Sequence, residues 1–139
     1  MLGVLLTGAL QRLREQVAAG AAAAGFGDIR MAHQAVMMNV GADGIRITDL
    51  ADRAQMTKQS MGELVAHLEK GGYVTVEPDP NDRRAKIVSL TARGRATEAP
   101  ARDSIQRLQE DWSRRLEPGE MDELVRLLRK LNDVLGGPT

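Results

Sequence analysis

Apolar residues recur at helical spacing along most of this chain, and the pattern predicts a mainly α-helical protein. Near the N-terminus the apolar positions step by three or four and are Leu2, Leu6, Leu10, Leu13 and Val17. Such steps keep side chains on one face of a helix, which we expect within residues 1–25. A second stripe, at i, i+3, i+4 and i+7, is formed by Met61, Leu64, Val65 and Leu68. It predicts an amphipathic helix from Lys58 to about Lys70.

Capping residues mark further helices around this stripe, because Asp and Thr side chains accept bonds from the first free N–H groups of a helix. Asp28 is placed to cap a helix that runs to about Asn39, with Ala32 on its apolar side. Thr48 is placed to cap a helix over residues 48–54. Thr57 then caps the helix from Lys58, Gly71 and Gly72 end it, and residues 45–47 are expected to add a short strand.

Two alternating segments separated by turn formers predict a β-hairpin. Residues 73–77 place Val74 and Val76 on one face and Tyr73 on the other, and residues 86–90 alternate less regularly. Period-two alternation is typical of half-buried strands. The intervening residues all favour turns, and they are Pro78, Asp79, Pro80, Asn81 and Asp82.

After the hairpin, Thr91 is placed to cap a long helix that Pro100 should kink or interrupt near Ala99. A last helix is expected to have Pro118 in its first turn. Its very wide apolar face consists of Met121, Leu124, Val125, Leu127, Leu128, Leu131, Val134 and Leu135. Either the N-terminal helix of the same chain or the terminal helices of a second chain would bury it. We favour the dimer, because residues 45–90 can bury little of this face.

Two short helices followed by a basic hairpin form a winged helix-turn-helix, and such a module usually reads DNA. The first turn of the second helix carries Lys58, Gln59 and Ser60. A recognition helix presents those positions to base edges in the major groove. Gln can form two hydrogen bonds with adenine, and Lys can donate hydrogen bonds to guanine or phosphate. The alternative is an ordinary amphipathic surface helix.

The basic cluster Arg83-Arg84, with Lys86 close behind, is expected at the exit of the hairpin loop. A narrow minor groove attracts Arg, so one Arg of the pair would enter it. The other would meet phosphate or be oriented by Asp79 or Asp82. The alternative is a solvated loop with local ion pairs, which are worth only about 0–1 kcal/mol each.

Composition narrows the class of protein. The 139 residues suit one domain, and 19 basic residues balance 19 acidic ones. Zero net charge argues against a histone-like binder, but residues 83–95 contain basic residues and no acid, which is the local patch that matters. The absence of cysteine excludes a thiolate metal site. It also suits the cytoplasm, where we expect the protein, and no apolar run is long enough to cross a membrane.

The sequence does not predict an enzyme or a cofactor site. No phosphate-binding loop, dinucleotide motif or nucleophile motif is present. The only two histidines, His33 and His67, lie far apart in the sequence and lack cysteine partners, which argues against a structural zinc site.

In its motifs the chain resembles the MarR family of bacterial transcriptional regulators. The resemblance is most specific over Leu50–Val74, LADRAQMTKQSMGELVAHLEKGGYV, and Asp79–Gly94, DPNDRRAKIVSLTARG. It implies α-helical homodimers with two winged helix-turn-helix lobes that bind pseudo-palindromic operators. It matches Lys58, Gln59 and Ser60 to the start of the major-groove helix, and Arg83 and Arg84 to a wing in which Asp82 or Asp79 supports an Arg.

This chain departs from that family at one place. Many members have a Ser-Arg pair where it has Gly62-Glu63. Glu63 repels phosphate but can accept a hydrogen bond from a cytosine amine, so the departure concerns the operator sequence more than DNA binding itself.

The resemblance also implies a pocket for a small, often aromatic or anionic, ligand. Met31, Met37 and Met38 lie near His33 in the sequence. They are either adaptable core residues or the lining of such a pocket, for which we name His33 and Met37.

Together these patterns predict an α+β protein, mainly α with a small β-hairpin wing, in one domain of residues 1–139. Residues 1–25 and 100–137 would form dimerisation helices, and residues 28–95 the winged helix-turn-helix lobe. We expect a ligand-responsive homodimeric repressor, and the alternative is a winged-helix protein-interaction module without DNA binding. The residues expected at DNA are Thr57, Lys58, Gln59, Ser60, Glu63, His67, Arg83, Arg84 and Lys86.

Overall fold

Helices surround a small antiparallel sheet in the computed structural model, which describes residues 1–137. The helices are α1 (Leu2–Ala23), α2 (Met31–Asn39), α3 (Ile47–Arg53), α4 (Lys58–Lys70), α5 (Ala92–Arg95), α6 (Glu98–Arg115) and α7 (Glu120–Leu135). The strands are β1 (Ile45–Arg46), β2 (Val74–Asp79) and β3 (Asp82–Leu90). The mainly helical winged-helix architecture expected from the sequence is confirmed.

The inner face of α4 is the centre of the core. Met61, Val65 and Leu68 are at most 2% exposed, as the i, i+4, i+7 spacing predicts. They belong to one buried cluster, whose other members include Val36, Leu50, Tyr73, Val74 and Val88. This packing fixes α4 by one face and leaves its opposite face to solvent.

The sheet has the strand order β1-β3-β2, with β3 paired to both neighbours. Its hairpin is tighter than expected, because Asp79 pairs directly with Asp82 and only Pro80 and Asn81 remain in the turn. The backbone N–H of Asn81 donates to Asp79 Oδ1 at 2.9 Å, which closes the turn. The basic residues after Asp82 therefore lie in a strand and not in a loop.

Two predicted helix caps are wrong. Helix α2 begins at Met31, because His33 Nδ1 accepts the N–H of Arg30 and the Asp28 carboxylate accepts a bond from the Tyr73 hydroxyl instead. Thr48 lies inside α3, whose N-cap is Arg46. The Thr57 cap is confirmed, since its Oγ1 accepts the Ser60 N–H at 3.1 Å, a bond of a kind typically worth about 1 kcal/mol.

Two burial predictions are also wrong. The alternation puts Tyr73 on the face opposite Val74 and Val76, but Tyr73 and Val74 are both buried, because Tyr73 precedes the first paired residue of β2. Ala32 was placed on the apolar side of α2 but is exposed. Its neighbours His33 and Gln34 occupy the buried side in its place.

In the C-terminal half of the chain, prolines lie at or just before the N-termini of helices. Thr91 caps α5 as predicted, with its Oγ1 accepting the Gly94 N–H at 3.1 Å. The chain breaks after only four helical residues, and Pro100 lies in the first turn of α6, where no N–H partner is needed. Pro118 is expected in the first turn of the last helix, but it lies before α7, whose N-cap is Gly119 in a left-handed conformation (φ 88°).

Both terminal helices present uncovered apolar faces. The first eleven residues of α1 are exposed, and α7 has no buried residue. The exposed fractions reach 70% at Leu2, 47% at Leu131 and 76% at Val134. Within residues 1–137 no helix is long and apolar enough to span a membrane.

Candidate nucleic-acid interface

The outer face of α4 begins with a polar first turn. Thr57, Lys58, Gln59 and Ser60 are all exposed. The Thr57 hydroxyl donates to Ser60 Oγ at 2.9 Å, so the cap also orients the Ser60 hydroxyl. Lys58 and Gln59 therefore follow a well-defined helix start, whose free N–H groups carry partial positive charge.

One turn further along, Gly62 and Glu63 face the same solvent space. Glu63 is exposed and lies four positions after Gln59, so the two side chains share a face. A Cβ added at Gly62 would meet nothing within 4 Å. The glycine is thus not required by packing inside the lobe, and it leaves this part of the helix surface flat.

His67 is engaged by the lobe itself. Its Nε2 lies 2.9 Å from the Asp28 carbonyl oxygen, and its ring stacks on that of His33 with 4.2 Å between centroids. The ring is thereby held against α2, and His67 is not among the DNA contacts that we propose. In the described part of the chain, no three His, Asp or Glu side chains form a metal-binding group.

The wing presents its basic side chains on β3. Arg83, Arg84 and Lys86 are exposed, and the Arg84 side chain is 94% exposed. Asp82 Oδ1 accepts the Arg84 backbone N–H at 3.1 Å and lies 3.5 Å from its Nε. Such an exposed contact is weak, so Asp82 guides Arg84 without immobilising it.

Asp79 does not contact either wing arginine. Its buried carboxylate pairs with Arg46 of β1, whose Nη2 lies 2.6 Å from Asp79 Oδ2. The Asn81 N–H and the Arg46 guanidinium hold the pKa of Asp79 below its usual range. The sequence predicts Asp79 or Asp82 as the support of a wing Arg, and of the two only Asp82 contacts one.

A polar network that the sequence did not reveal connects residues of the lobe that lie far apart in the chain. The Asp28 carboxylate accepts the Tyr73 hydroxyl bond, and Arg93 Nη2 donates to the Tyr73 oxygen at 3.0 Å. The Tyr73 hydrogen bond lowers the pKa of Asp28, and burial raises the pKa of Tyr73. This network joins the α1–α2 connection, the end of α4 and α5.

A cavity of about 400 Å³ lies between α1, α2 and α6. Met37 lines it, together with apolar residues that include Val17, Ile29 and Ile105. His33 does not line it, because its ring is turned toward α4. Polar groups of Gln34, Glu98 and Arg102 also border the cavity.

The winged-helix region matches a known family. A family model described as MarR family matches residues 29–85. The transcriptional regulator HosA of Escherichia coli O111:H- is 35% identical over 103 residues, covering 70% of this chain and 74% of HosA. The transcriptional activatory protein BadR of Rhodopseudomonas palustris is 37% identical over 54 residues, covering 39% of this chain and 31% of BadR.

Solved structures show the same fold. The apo form of MarR from E. coli superimposes with a TM-score of 0.78 at 24% identity, covering 94% of this chain and 96% of that chain. CouR from Rhodococcus jostii RHA1, bound to p-coumaroyl-CoA, gives a TM-score of 0.74 at 22% identity, covering 99% of this chain and 93% of that one.

The buried histidine makes stability depend on pH. Burial, followed by the nearby His67 and Arg30, lowers the pKa of His33 below the ordinary value of 6.5. The unfolded chain therefore takes up a proton that the native state resists, so the free energy of unfolding falls as the pH drops below about 6.5. We expect His33→Asn, whose Oδ1 can replace Nδ1 at the Arg30 N–H, to flatten this dependence.

Urea unfolding between about pH 5 and pH 8 measures the effect, because the titrating groups common to both proteins cancel in the difference between wild type and variant. Parallel pH profiles for the two proteins would contradict the assignment to His33.

Proposed function

Since the chain belongs to the MarR family and is a DNA-binding transcriptional regulator, we propose that it is a homodimeric repressor whose operator is released by a small molecule. The observation that carries the proposal is one lobe with two exposed polar elements. These are the first turn of α4 and the exposed basic side chains of the acid-free segment 83–95. Sequence-specific binders combine base contacts from a helix with charge contacts from flanking elements.

The dimer is proposed from the uncovered faces of α1 and α7. Leucines of α7 with exposed fractions between 38% and 71% are Leu124, Leu127, Leu128, Leu131 and Leu135. Soluble proteins seldom expose so much contiguous apolar surface unless it forms an interface. We assign residues 1–25 and 100–137 to dimerisation and residues 28–95 to the lobe. A twofold dimer then supplies two α4 helices for half-sites about 34–36 Å apart.

The proposed DNA contacts divide by groove. Lys58, Gln59 and Ser60 would meet base edges in the major groove, with Thr57 fixing the helix start. Glu63 would accept a hydrogen bond from a cytosine amine, at a position where many family members have an arginine. Arg84 would enter the minor groove, guided by Asp82, and Arg83 and Lys86 would meet phosphates.

The cavity beside Met37 is proposed as the effector site. Its volume, about 400 Å³, is within the range of ligand pockets, about 300–1,000 Å³. The walls are apolar, and Arg102, which borders the cavity beside Gln34 and Glu98, is the cation that an organic carboxylate with an apolar body would meet. The structure of CouR, which has the same fold, contains p-coumaroyl-CoA, and this supports a ligand with an aromatic acyl group.

The position of the cavity suggests how release would occur. It is bordered by α1 and α6 on one side and by α2 of the lobe on the other. A ligand that binds better when these elements are farther apart would favour a dimer with wrongly spaced α4 helices. The shift in DNA affinity cannot exceed that difference in ligand affinity.

A winged-helix protein-interaction module without DNA binding is the second candidate. The zero net charge of the chain and the acidic Glu63 on the recognition face favour it. It differs from the main proposal in predicting a dimer without salt-dependent affinity for any duplex.

The DNA contacts can be tested with a duplex selected by the wild-type protein from a random library, using fluorescence anisotropy over a salt series. Arg84→Ala should weaken binding and reduce the salt slope by up to about one phosphate contact. Gln59→Ala should cost about 1–3 kcal/mol and relax the preference at one base pair.

Arg114→Ala, at an exposed polar position of α6 that is outside the lobe and not on the apolar faces assigned to the dimer, is the matched control and should bind as the wild type does. Unchanged affinity in both Arg83→Ala and Arg84→Ala would remove the wing from the interface. Failure of the wild-type protein to select any duplex would favour the interaction module.

The dimer predicts a specific effect of a charge on α7. In a twofold dimer, Leu131→Glu changes both protomers. Burial of each leucine in the interface stabilises the dimer by about 1.5–3 kcal/mol. Association should therefore weaken by more than about a hundredfold. Lys130→Glu introduces the same side chain at an exposed polar position and should leave the dimer intact. Sedimentation equilibrium measures both, and a monomeric wild-type protein at micromolar concentration would contradict the proposal.

The effector site predicts a response that two substitutions alter. With p-coumarate and benzoate as probes, calorimetry should show binding and anisotropy should show release of the selected duplex. Met37→Trp should fill the cavity and abolish both responses while DNA binding persists. Arg102→Ala should weaken carboxylate binding by about tenfold, whereas Arg107→Ala, on the same helix, should not.

Equal responses to the probes in Met37→Trp and in the wild type would place the effector elsewhere. A reporter gene behind the selected duplex gives the sign of regulation, since a repressor lowers expression and the effector restores it.

A further inference from the structure

One side chain connects the two edge strands of the sheet. Arg46 on β1 is opposite Ile87 of the central strand β3, and Asp79 is the last residue of β2 on the far side. The Arg46 guanidinium nevertheless reaches Asp79, with Nε at 2.7 Å and Nη2 at 2.6 Å from Oδ2. The Arg46 side chain therefore spans β3.

Both ends of this connection lie in DNA-binding elements. Arg46 is the N-cap residue of α3, the first helix of the helix-turn-helix. Asp79 opens the two-residue turn at the tip of the wing and also accepts the Asn81 N–H. Arg83 and Arg84 follow the same turn in β3. The ion pair thus ties the helix-turn-helix directly to the part of the wing that carries the exposed arginines.

The acid is buried and the base is not. The Asp79 side chain is 6% exposed, whereas the Arg46 side chain is 42% exposed. A buried carboxylate without its partner must regain water, and an outward movement of the turn at the end of β2 would supply it. The β2–β3 register is already irregular between Pro78 and Asp79, so the tip is less constrained by strand pairing than the rest of the hairpin.

The fold has other supports, which separates this pair from the core. β1 pairs with β3 through backbone bonds, and Ile45, Val74 and Val88 bury the inner face of the sheet. Loss of the ion pair would therefore displace the wing tip without unfolding the lobe.

We propose that Arg46 is a positioning residue for DNA binding, which holds the wing tip through Asp79 at the distance from α4 that simultaneous contact with both grooves requires. The inference rests on the proposed DNA-binding role of the lobe. Arg46 acts through Asp79 and not by contacting phosphate.

The direction in which one substitution changes DNA affinity distinguishes positioning through Asp79 from direct contact of Arg46 with phosphate. Asp79→Asn removes a negative charge, so by long-range electrostatics alone it should strengthen binding to DNA. The positioning role gives the opposite result, because the wing tip is released. Arg46→Gln keeps most of the side-chain stem but loses the ion pair.

The experiment measures affinity of the selected duplex and of random DNA, together with urea unfolding, for Arg46→Gln, Asp79→Asn and the double variant. Each single variant should bind the selected duplex about tenfold more weakly, and the double variant no more weakly than the worse single one. Arg46→Lys should recover part of the affinity. The effect of Arg84→Ala should shrink in the Asp79→Asn background, which a loss of stability alone would not produce.

Arg53→Gln, at the other end of α3, is the matched control. It should leave the affinity for the selected duplex and the effect of Arg84→Ala unchanged. Wild-type or tighter binding by Asp79→Asn would overturn the inference, as would additive losses in the double variant. A loss of about one unit of salt slope confined to Arg46→Gln would make Arg46 a phosphate contact. A wild-type protein that selects no duplex overturns the proposed function itself, whereas the other outcomes concern only Arg46.

Discussion

Burial of one face of α4 determines where the neighbouring elements of the lobe and its exposed polar surface lie. Met61, Val65 and Leu68 form the centre of a core that has very few aromatic residues, so its stability comes from close packing of aliphatic side chains. Because that face is fixed against α2, α3 and β2, the opposite face is fixed as well. The polar first turn, the flat surface at Gly62 and the carboxylate of Glu63 acquire their positions from residues that never reach the surface.

Patterns of apolar spacing were sufficient to predict α1, α4, the hairpin and the broad face of α7, because the burial of a stripe is encoded locally. Polar partners were harder to predict. Asp28 and Thr48 have the chemistry of helix caps, but Asp28 bonds Tyr73, which is 45 residues away. Likewise, nothing local distinguishes Asp79 from Asp82 as a partner for arginine. Asp79 forms an ion pair with Arg46, 33 positions earlier in the chain, because the strand order allows the Arg46 side chain to reach from one edge of the sheet to the other.

The terminal helices and the lobe face different physical problems. The lobe has a complete core, and none of its buried side-chain polar atoms lacks a hydrogen-bond partner within residues 1–137. Helix α7 and the first half of α1 have apolar faces without a partner in the same chain. The second half of α1 packs against α6 and α2 and borders the cavity beside Met37. One helix thus belongs both to the surface where a second protomer would bind and to the space where a ligand would bind.

The polar links within the lobe have a mechanical consequence. The Arg46–Asp79 pair joins α3 to the wing, the His33–His67 stack joins α2 to α4, and the Asp28–Tyr73–Arg93 network joins the α1–α2 connection to α5. A unit cross-linked at three places resists internal deformation, so strain applied at its border turns it as a rigid body. The joint between the lobe and α6 is the turn at Ala96 and Thr97, where the helical path between α5 and α6 is broken. A rotation of a few degrees at that joint is magnified by the lever arm that extends from it to the tip of the wing.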